Sequence, residues 1–448
     1  MMRSRLLLTL FAVTFIPAFG QTRVAIQNVT LIDGTDHAPR HNVTVIVQGQ
    51  KIVAINRERS EPRGMTIIDG TGKYLIPGLW NNDLHGPAYS DAKAPLLSLV
   101  SYGITTVRDM GASLDDIVRL REATASGVLV GPRLFIAGPL MEGPIPIQMS
   151  LIMALFTEEQ ARGEVRNLKQ HNVNYIEVDT TLTPELYWAI ADEAGRQRIS
   201  LVGHIPAKVS ALEIIKANQR DVEHLGGVFF NVLIACSSDE FFFDQVKGKT
   251  YDDVLVALKE KRPPNEPQFK ADFVDRLLNT FDESKAQRLY RLYAQSGVAQ
   301  TPTLFVLNTL WQRAKDRDKL NEQDMEFGRK LFAKDLDVVG QMKRAGVPIL
   351  AGTDGPYLQG GDALHGELKL LVEAGLTPLQ ALQAASRDAA RAMGVLKDVG
   401  TVEVGKTADL VLLDADPLID ISNTRKINTV VLDGQLFSQN ELSTMRSH

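Results

Sequence analysis

Near both ends of the chain, apolar and polar positions alternate with a period of two. Val43, Val45 and Val47 alternate with polar or small neighbours, Gly49-Gln50 offers a turn, and Ile52-Val53-Ala54-Ile55 follows. Such alternation predicts half-buried strands, and a glycine in the first turn position predicts a two-residue hairpin. The same texture returns from Ala408 to Leu413 and from Thr429 to Leu432, closed by Asp433-Gly434. Residues 21–78 and 399–448 therefore read as one small β-sandwich domain assembled from both chain ends.

The middle, residues 79–398, has a different rhythm. Short buried-strand runs fall at Thr105-Thr106-Val107, Leu134-Phe135-Ile136, Tyr175-Ile176, Leu201-Val202, Val222, Thr303-Leu304-Phe305 and Val347-Pro348-Ile349-Leu350, with helical stretches between most of them. Thr183 is placed as an N-cap ahead of Pro184 and Glu185, and Thr377-Pro378 opens another helix in the same manner. With Leu79 to His85 added, the count is eight strands, which predicts an α/β fold of the TIM-like (β/α)8 type rather than an open sheet. Residues 237–297 break the alternation with charged, helix-favouring sequence interrupted by Arg262-Pro263-Pro264-Asn265. That stretch reads as a helical insertion, either a wall over the barrel mouth or a surface decoration.

Composition changes this picture little. The chain has 448 residues, 44% hydrophobic and 23% charged, close to the soluble average, and a net charge of -5 gives no footprint for nucleic acid. The start is distinctive: Arg3 and Arg5 precede an apolar run from Leu6 to Ile16, and Pro17-Ala18-Phe19-Gly20 follows. This pattern predicts a secretory signal peptide over residues 1–20, hence a periplasmic or secreted protein without a membrane span after cleavage. Cys236 is the only cysteine, so no internal disulfide and no cysteine zinc cage is available.

The chemistry lies at the predicted strand ends. Barrel strands deliver their last residues to one rim. The first ends Asn81-Asn82-Asp83-Leu84-His85, the fourth carries Glu177, the fifth ends Gly203-His204, the sixth Glu223-His224 and the eighth Gly352-Thr353-Asp354. Asp83, His85, Glu177, His204, His224 and Asp354 thus converge, and clustered carboxylates repel unless protons or a cation compensate. A divalent metal is the simplest compensator, since imidazole nitrogen and carboxylate oxygen suit zinc, manganese or iron.

At this point the sequence resembles the amidohydrolase superfamily, in its imidazolonepropionase-like and prolidase-like branch. The resemblance runs through Gly72-Lys73-Tyr74-Leu75-Ile76-Pro77-Gly78-Leu79, Gly103-Ile104-Thr105-Thr106-Val107-Arg108-Asp109-Met110-Gly111 and Gly203-His204-Ile205-Pro206. It continues in Glu223-His224-Leu225, Ala351-Gly352-Thr353-Asp354, Leu364-His365-Gly366-Glu367-Leu368 and Ala408-Asp409-Leu410-Val411-Leu412-Leu413-Asp414. It implies one or two divalent ions, zinc foremost, and hydrolysis of an amide, peptide or lactam bond, with esters and lactones as close substitutes. His85, His204, His224 and Asp354 match the family's ligand positions, and Asp354 matches the base that activates water. Asp83 stands where the first histidine belongs, Glu177 where a carboxylated lysine belongs, and Asn81 replaces a residue that is often aspartate. These departures keep open a lyase or isomerase, or a binding protein, on the same barrel. His365 reads as structural, Arg108 and Asp109 as a charge pair, and Met141-Glu142-Gly143-Pro144 as a loop near the pocket. The expected partner is a small-molecule or short-peptide substrate; homo-oligomerisation is left open.

Overall fold

The computed structural model describes residues 23–56, 64–144, 151–260, 271–309 and 322–446; the leader-like segment 1–20 and Arg262-Pro263-Pro264-Asn265 lie outside them. Strands from both chain ends pair in one eight-stranded sheet. β1 (Arg23–Leu31), β2 (Arg40–Gln48), β3 (Lys51–Asn56), β4 (Thr66–Asp69) and β5 (Tyr74–Pro77) come from the first part of the chain. β1 carries β2 on one side, with β4 and β5 in parallel on the other, while β5 pairs with a C-terminal strand, Leu410–Leu413. Alternate side chains, among them Val43, Val45, Val47, Leu410, Leu412 and Val431, turn inward to form a separate apolar core. The Gly49-Gln50 hairpin has positive φ at its first central residue, as expected of a glycine-first turn. Asp433 and Gly434 both adopt positive φ (47° and 80°), the other hairpin pattern. The sequence reading of paired strands from both termini agrees with this sheet; the pairing itself is that of a single sheet.

The middle of the chain alternates parallel strands with helices. β6 (Leu79–Leu84), β7 (Ile104–Asp109) and β8 (Arg133–Ile136) form one parallel set. β9 (Leu140–Glu142), β10 (Ile152–Ala154), β11 (Tyr175–Val178) and β12 (Ser200–Gly203) form a second, and β13 (Asp221–Glu223) with β14 (Ala299–Thr301) a third. Every residue of β6 and β7 is buried, the expected state of parallel strands covered by helices. Single backbone bonds continue the order between sets: Asn174 N donates to Ile136 O at 2.8 Å, Arg220 N to Leu201 O at 2.7 Å, Leu350 N to Gln300 O at 2.9 Å and Asn82 N to Ala351 O at 2.9 Å. Thr183 caps Pro184–Gln197 through the backbone N of Leu186, and Thr377 and Gln380 form a reciprocal capping box on Pro378–Ala384.

Two strand placements differ from expectation. The seventh strand is Ala299–Thr301, not Thr303–Phe305. Pro302 ends it by removing a donor, and residues 304–309 turn helical, with Glu367 Oε2 accepting from the Phe305 N at 2.7 Å. The Val347–Leu350 run makes only an isolated parallel bridge, Gln300 to Ile349, since Pro348 cannot donate to a ladder. After β13 come the helices Glu240–Glu260, Ala271–Asn279 and Glu283–Ser296. No helix among the described residues is long and apolar enough to cross a membrane.

Candidate metal centre

The site is built where β6, β12, β13 and the segment before Asp354 end together. Strand alternation turns the Asp83 side chain inward, while the Asp83 carbonyl accepts from Asp354 N at 2.9 Å and Thr353 N at 3.2 Å. Those bonds seat Asp354 beside Asp83. The approach needs Gly352: a Cβ there would lie 2.7 Å from Asp83 Cβ and 2.5 Å from Thr301 Cγ2. Gly203 acts similarly before His204, for its φ is +111° and a Cβ would stand 2.5 Å from Val178 O. Asn81 is a tie rather than a participant, donating to Thr353 Oγ1 at 2.8 Å and Gly360 O at 3.2 Å.

Two groups of donor atoms converge: His204, Glu223 and His224 in one, and Asp83, His224 and Asp354 in the other, each set within 4.8 Å. His224 belongs to both. Its Nε2 is 3.9 Å from Asp83 Oδ2 and 3.7 Å from Asp354 Oδ2, and His204 Nε2 is 4.0 Å from Glu223 Oε2. The outer nitrogens of both rings are occupied. His204 Nδ1 lies 2.7 Å from Asp179 Oδ1 and 2.7 Å from Thr180 Oγ1. Thr303 Oγ1 donates its single proton to Pro302 O at 2.8 Å, so it accepts from His224 Nδ1 at 2.5 Å. Outer bonds of this kind turn each Nε2 toward the cavity, the usual support for a metal-binding imidazole. His85 Nε2 meets Asp354 Oδ1 at 3.1 Å.

Of the six residues expected at the rim, Asp83, His204, His224 and Asp354 enter the two groups, and His85 attaches through Asp354. Glu177 lines the same cavity as these residues, and its carboxylate lies outside the two groups of donor atoms that are within 4.8 Å of one another. Glu223 takes a place that sequence reasoning gave to no carboxylate. Asp179, Thr180 and Thr303 were also missed, although Asp179 sits two residues past Glu177, where alternation gives it the same face. Arg108 and Asp109 are not a pair, because neighbouring strand residues point to opposite sides. Arg108 Nη2 donates to Asp221 Oδ2 at 2.5 Å and Glu223 Oε1 at 3.2 Å, whereas Asp109 accepts from Tyr357 Oη at 2.8 Å. His365 is buried against Thr424 Oγ1 (2.8 Å) and Tyr102 O (3.1 Å), away from the rim. Glu142 turns back onto its own loop, accepting from Gly143 N at 2.9 Å and Thr181 N at 2.8 Å.

The electrostatics are those of too many acids in a dry place. Asp83, Glu177, Asp221 and Glu223 are each at most 2% exposed. Burial, then repulsion from Glu223, drives both Asp83 and Glu177 well above the usual carboxylate range, with Asp354 adding to the effect on Asp83 and Asp83 to that on Glu177. Burial likewise pushes Glu223 up to about 7 against the pull of Arg108 and His204. Burial would lower His204, but Asp179 raises it to about 9; burial takes His224 down to about 4 against the pull of Asp354. Burial opposes ionisation of Asp354 too, yet His224, His85 and His204 hold its carboxylate well below the ordinary range. Asp83 Oδ2, Glu177 Oε2 and His85 Nδ1 are buried without a hydrogen-bond partner. An orphaned acid oxygen beside two Nε2 atoms fits a divalent cation, which would displace the His204 proton: the donor set is of the right chemistry, and the buried acids outnumber Arg108 and the protonated His204.

The sequence profile of the amidohydrolase family matches residues 75–437. The chain belongs to the amidohydrolase family. Its curated relatives include an N-acyl-D-aspartate deacylase of Alcaligenes xylosoxydans xylosoxydans, 34% identical over 26% of this chain and 23% of that protein. An imidazolonepropionase of Shouchella clausii is 36% identical over 20% of each chain. The chain thus matches less than a third of the length of these relatives. Among solved structures, a Xaa-Pro dipeptidase with bound methionine superposes with a TM-score of 0.70 at 19% identity, covering 93% of this chain and 100% of that one. A putative prolidase from Bifidobacterium longum gives 0.69 at 24%, covering 95% and 98%. These likenesses establish a TIM-barrel-like α/β fold.

Proposed function

We propose that this amidohydrolase is an exported, metal-dependent hydrolase of amide or peptide bonds in small substrates. The reading takes the parallel strand sets as one closed ring and the terminal sheet as curling into a sandwich around its own core. The observation that carries it is the pair of Nε2 atoms, from His204 and His224, facing orphaned carboxylate oxygens with both Nδ1 atoms already bound. His204, His224 and Glu223 would hold one divalent ion; Asp83 and Asp354, with His224 between, offer a second place. Zinc suits these donors best, with manganese or iron as alternatives. A bound cation supplies Lewis acidity and lowers the pKa of water from 15.7 towards about 7.

The chain's own groups do the rest. Asp354, kept ionised by the imidazoles around it, takes the proton of the attacking water and returns it to the departing nitrogen. His85 fixes the carboxylate's orientation from 3.1 Å. Arg108 holds Glu223 at 3.2 Å so that its other oxygen faces His204. Leu140, Leu225, Phe230 and Leu233 line the cavity of about 860 Å³ and keep bulk water from the reacting bond. Glu177, in place of a carboxylated lysine, contributes negative charge beside the centre.

The test is metal content together with turnover. Protein purified without chelator is expected to carry zinc, manganese or iron and to cleave dipeptides or N-acyl amino acids, with loss on chelation and recovery on adding the ion. Metal-free protein that turns over substrate would instead support lyase or isomerase chemistry among the proton-holding Asp83, Glu177 and Glu223. Metal-free, inert protein would leave a binding role.

A further inference from the structure

The helix Glu322–Arg344 packs inward through Leu331, Val338, Val339 and Met342, each at most 5% exposed. Asp335 stands in that stripe, four residues after Leu331 and three before Val338, where helical spacing calls for an apolar side chain. It is 8% exposed and lines the cavity that also holds His204, His224 and Asp354. The apolar part of that cavity's lining includes Leu331, Phe230, Leu233 and Leu307. Among the described residues no donor or cation meets the Asp335 carboxylate, and burial alone pushes its pKa up to about 8.

Other buried acids of the molecule serve the fold visibly. Glu367 accepts from Phe305 N at 2.7 Å, and Asp221 is bound by Arg108 at 2.5 Å. Asp335 has neither kind of partner, and an unpaired carboxylate in an apolar wall costs stability. A group that costs the fold and faces the reaction cavity is accounted for by a ligand arriving from outside.

We propose that Asp335 selects the substrate by receiving a cationic group, an ammonium or guanidinium, carried on an aliphatic stem that lies along Leu331, Phe230 and Leu233. This rests on the hydrolase reading above for the identity of the bond cleaved, not for the binding. An arriving cation favours the ionised carboxylate, and the apolar surroundings strengthen the pair.

The experiment compares N-acetyl-lysine amide with its neutral near-isostere N-acetyl-norleucine amide on the full, metal-replete chain. Binding is measured by calorimetry and hydrolysis in parallel. The lysine compound is expected to bind about tenfold tighter or more, the scale of one charged hydrogen bond. Asp335→Asn should abolish that ratio and Asp335→Leu should invert it, each with metal content matching the parent protein to show an intact centre. A wild-type preference for norleucine, or an unchanged ratio in either folded variant, overturns the proposal. Preferential binding without cleavage of either amide would sink the hydrolase reading while leaving Asp335 in its role. Cleavage of both amides without charge preference would do the reverse.

Discussion

The sheet made from the chain ends and the mouth where the parallel strands end are built by the same backbone rules to opposite ends. In the sheet, local pattern and tertiary packing agree: β-branched alternation, glycine-bearing hairpin turns and an apolar core all ask for the same structure. The mouth breaks rule after rule. Acids are buried together, acceptors lack donors, and His224, Leu225, Thr303 and Asp354 are held at φ values of 51°, 53°, 50° and 45°, in the region that non-glycine residues avoid. Strain of this kind persists only where surrounding structure over-determines it, and it gathers at functional sites. The difference teaches where to look: stability is made in the sheet and consumed at the mouth.

The comparison breaks most sharply at Asp354. Asp354→Asn should lower kcat by about 10²–10⁴-fold, the usual share of a positioned acid–base group, with little change in melting temperature. Steady-state kinetics beside a thermal melt checks it; retained turnover removes Asp354 from the mechanism. Leu410→Ala is the opposite case. This side chain is 1% exposed in the sheet's own core, so truncation should cost about 2–5 kcal/mol of stability while kcat per folded molecule stays put. Denaturant titration with activity normalised to folded protein decides it, and a change in kcat would mean that the two regions are coupled.

A smaller effect separates the groups at the mouth that face the centre from those behind it. Thr303→Val keeps the shape but removes the acceptor that sets the His224 tautomer. Loss of such an outer hydrogen bond should weaken metal affinity by about 10–100-fold. Competition with a chelator of known affinity measures it; an unchanged affinity would show that His224 is oriented by packing alone.

The same contrast explains what was legible in the sequence. The hairpins and the Thr183 and Thr377 caps each have a local signature, a turn residue or a fixed offset, and the structure bears these out. The seventh strand was misplaced because Thr303-Leu304-Phe305 is as apolar and strand-prone as Ala299–Thr301. Pro302 ends the strand early, and a cap from Glu367, distant in sequence, holds the start of the helix that follows. Glu223 and Thr303 escaped notice for a related reason. Their roles come from contacts between different strands, with Arg108 on one side and His224 on the other, and no spacing along the chain encodes those meetings. Glu177 was legible from its place in the motif, and the structure sets it in the same cavity as His204, His224 and Asp354.

The smallest effect tests whether the mouth consumes stability as the comparison says. Asp335 ionises near its ordinary 3.8 in the unfolded chain but holds its proton up to about 8 when folded. Between those values the folded state binds more protons, so this group's contribution to stability falls as pH rises through the window and levels off above it. Asp335→Asn cannot ionise and escapes the loss. The variant should therefore match the parent near the bottom of the window and exceed it at pH 8 by on the order of 2 kcal/mol, a figure in keeping with a partly hydrated acid. Guanidinium titrations of both proteins at the two pH values, in the same metal state, provide the measurement. A variant that is stabilised equally at both would trace the gain to packing and not to charge. One that is less stable at pH 8 would show that the carboxylate has a partner within the fold, and would remove the reason for seeking that partner in a substrate.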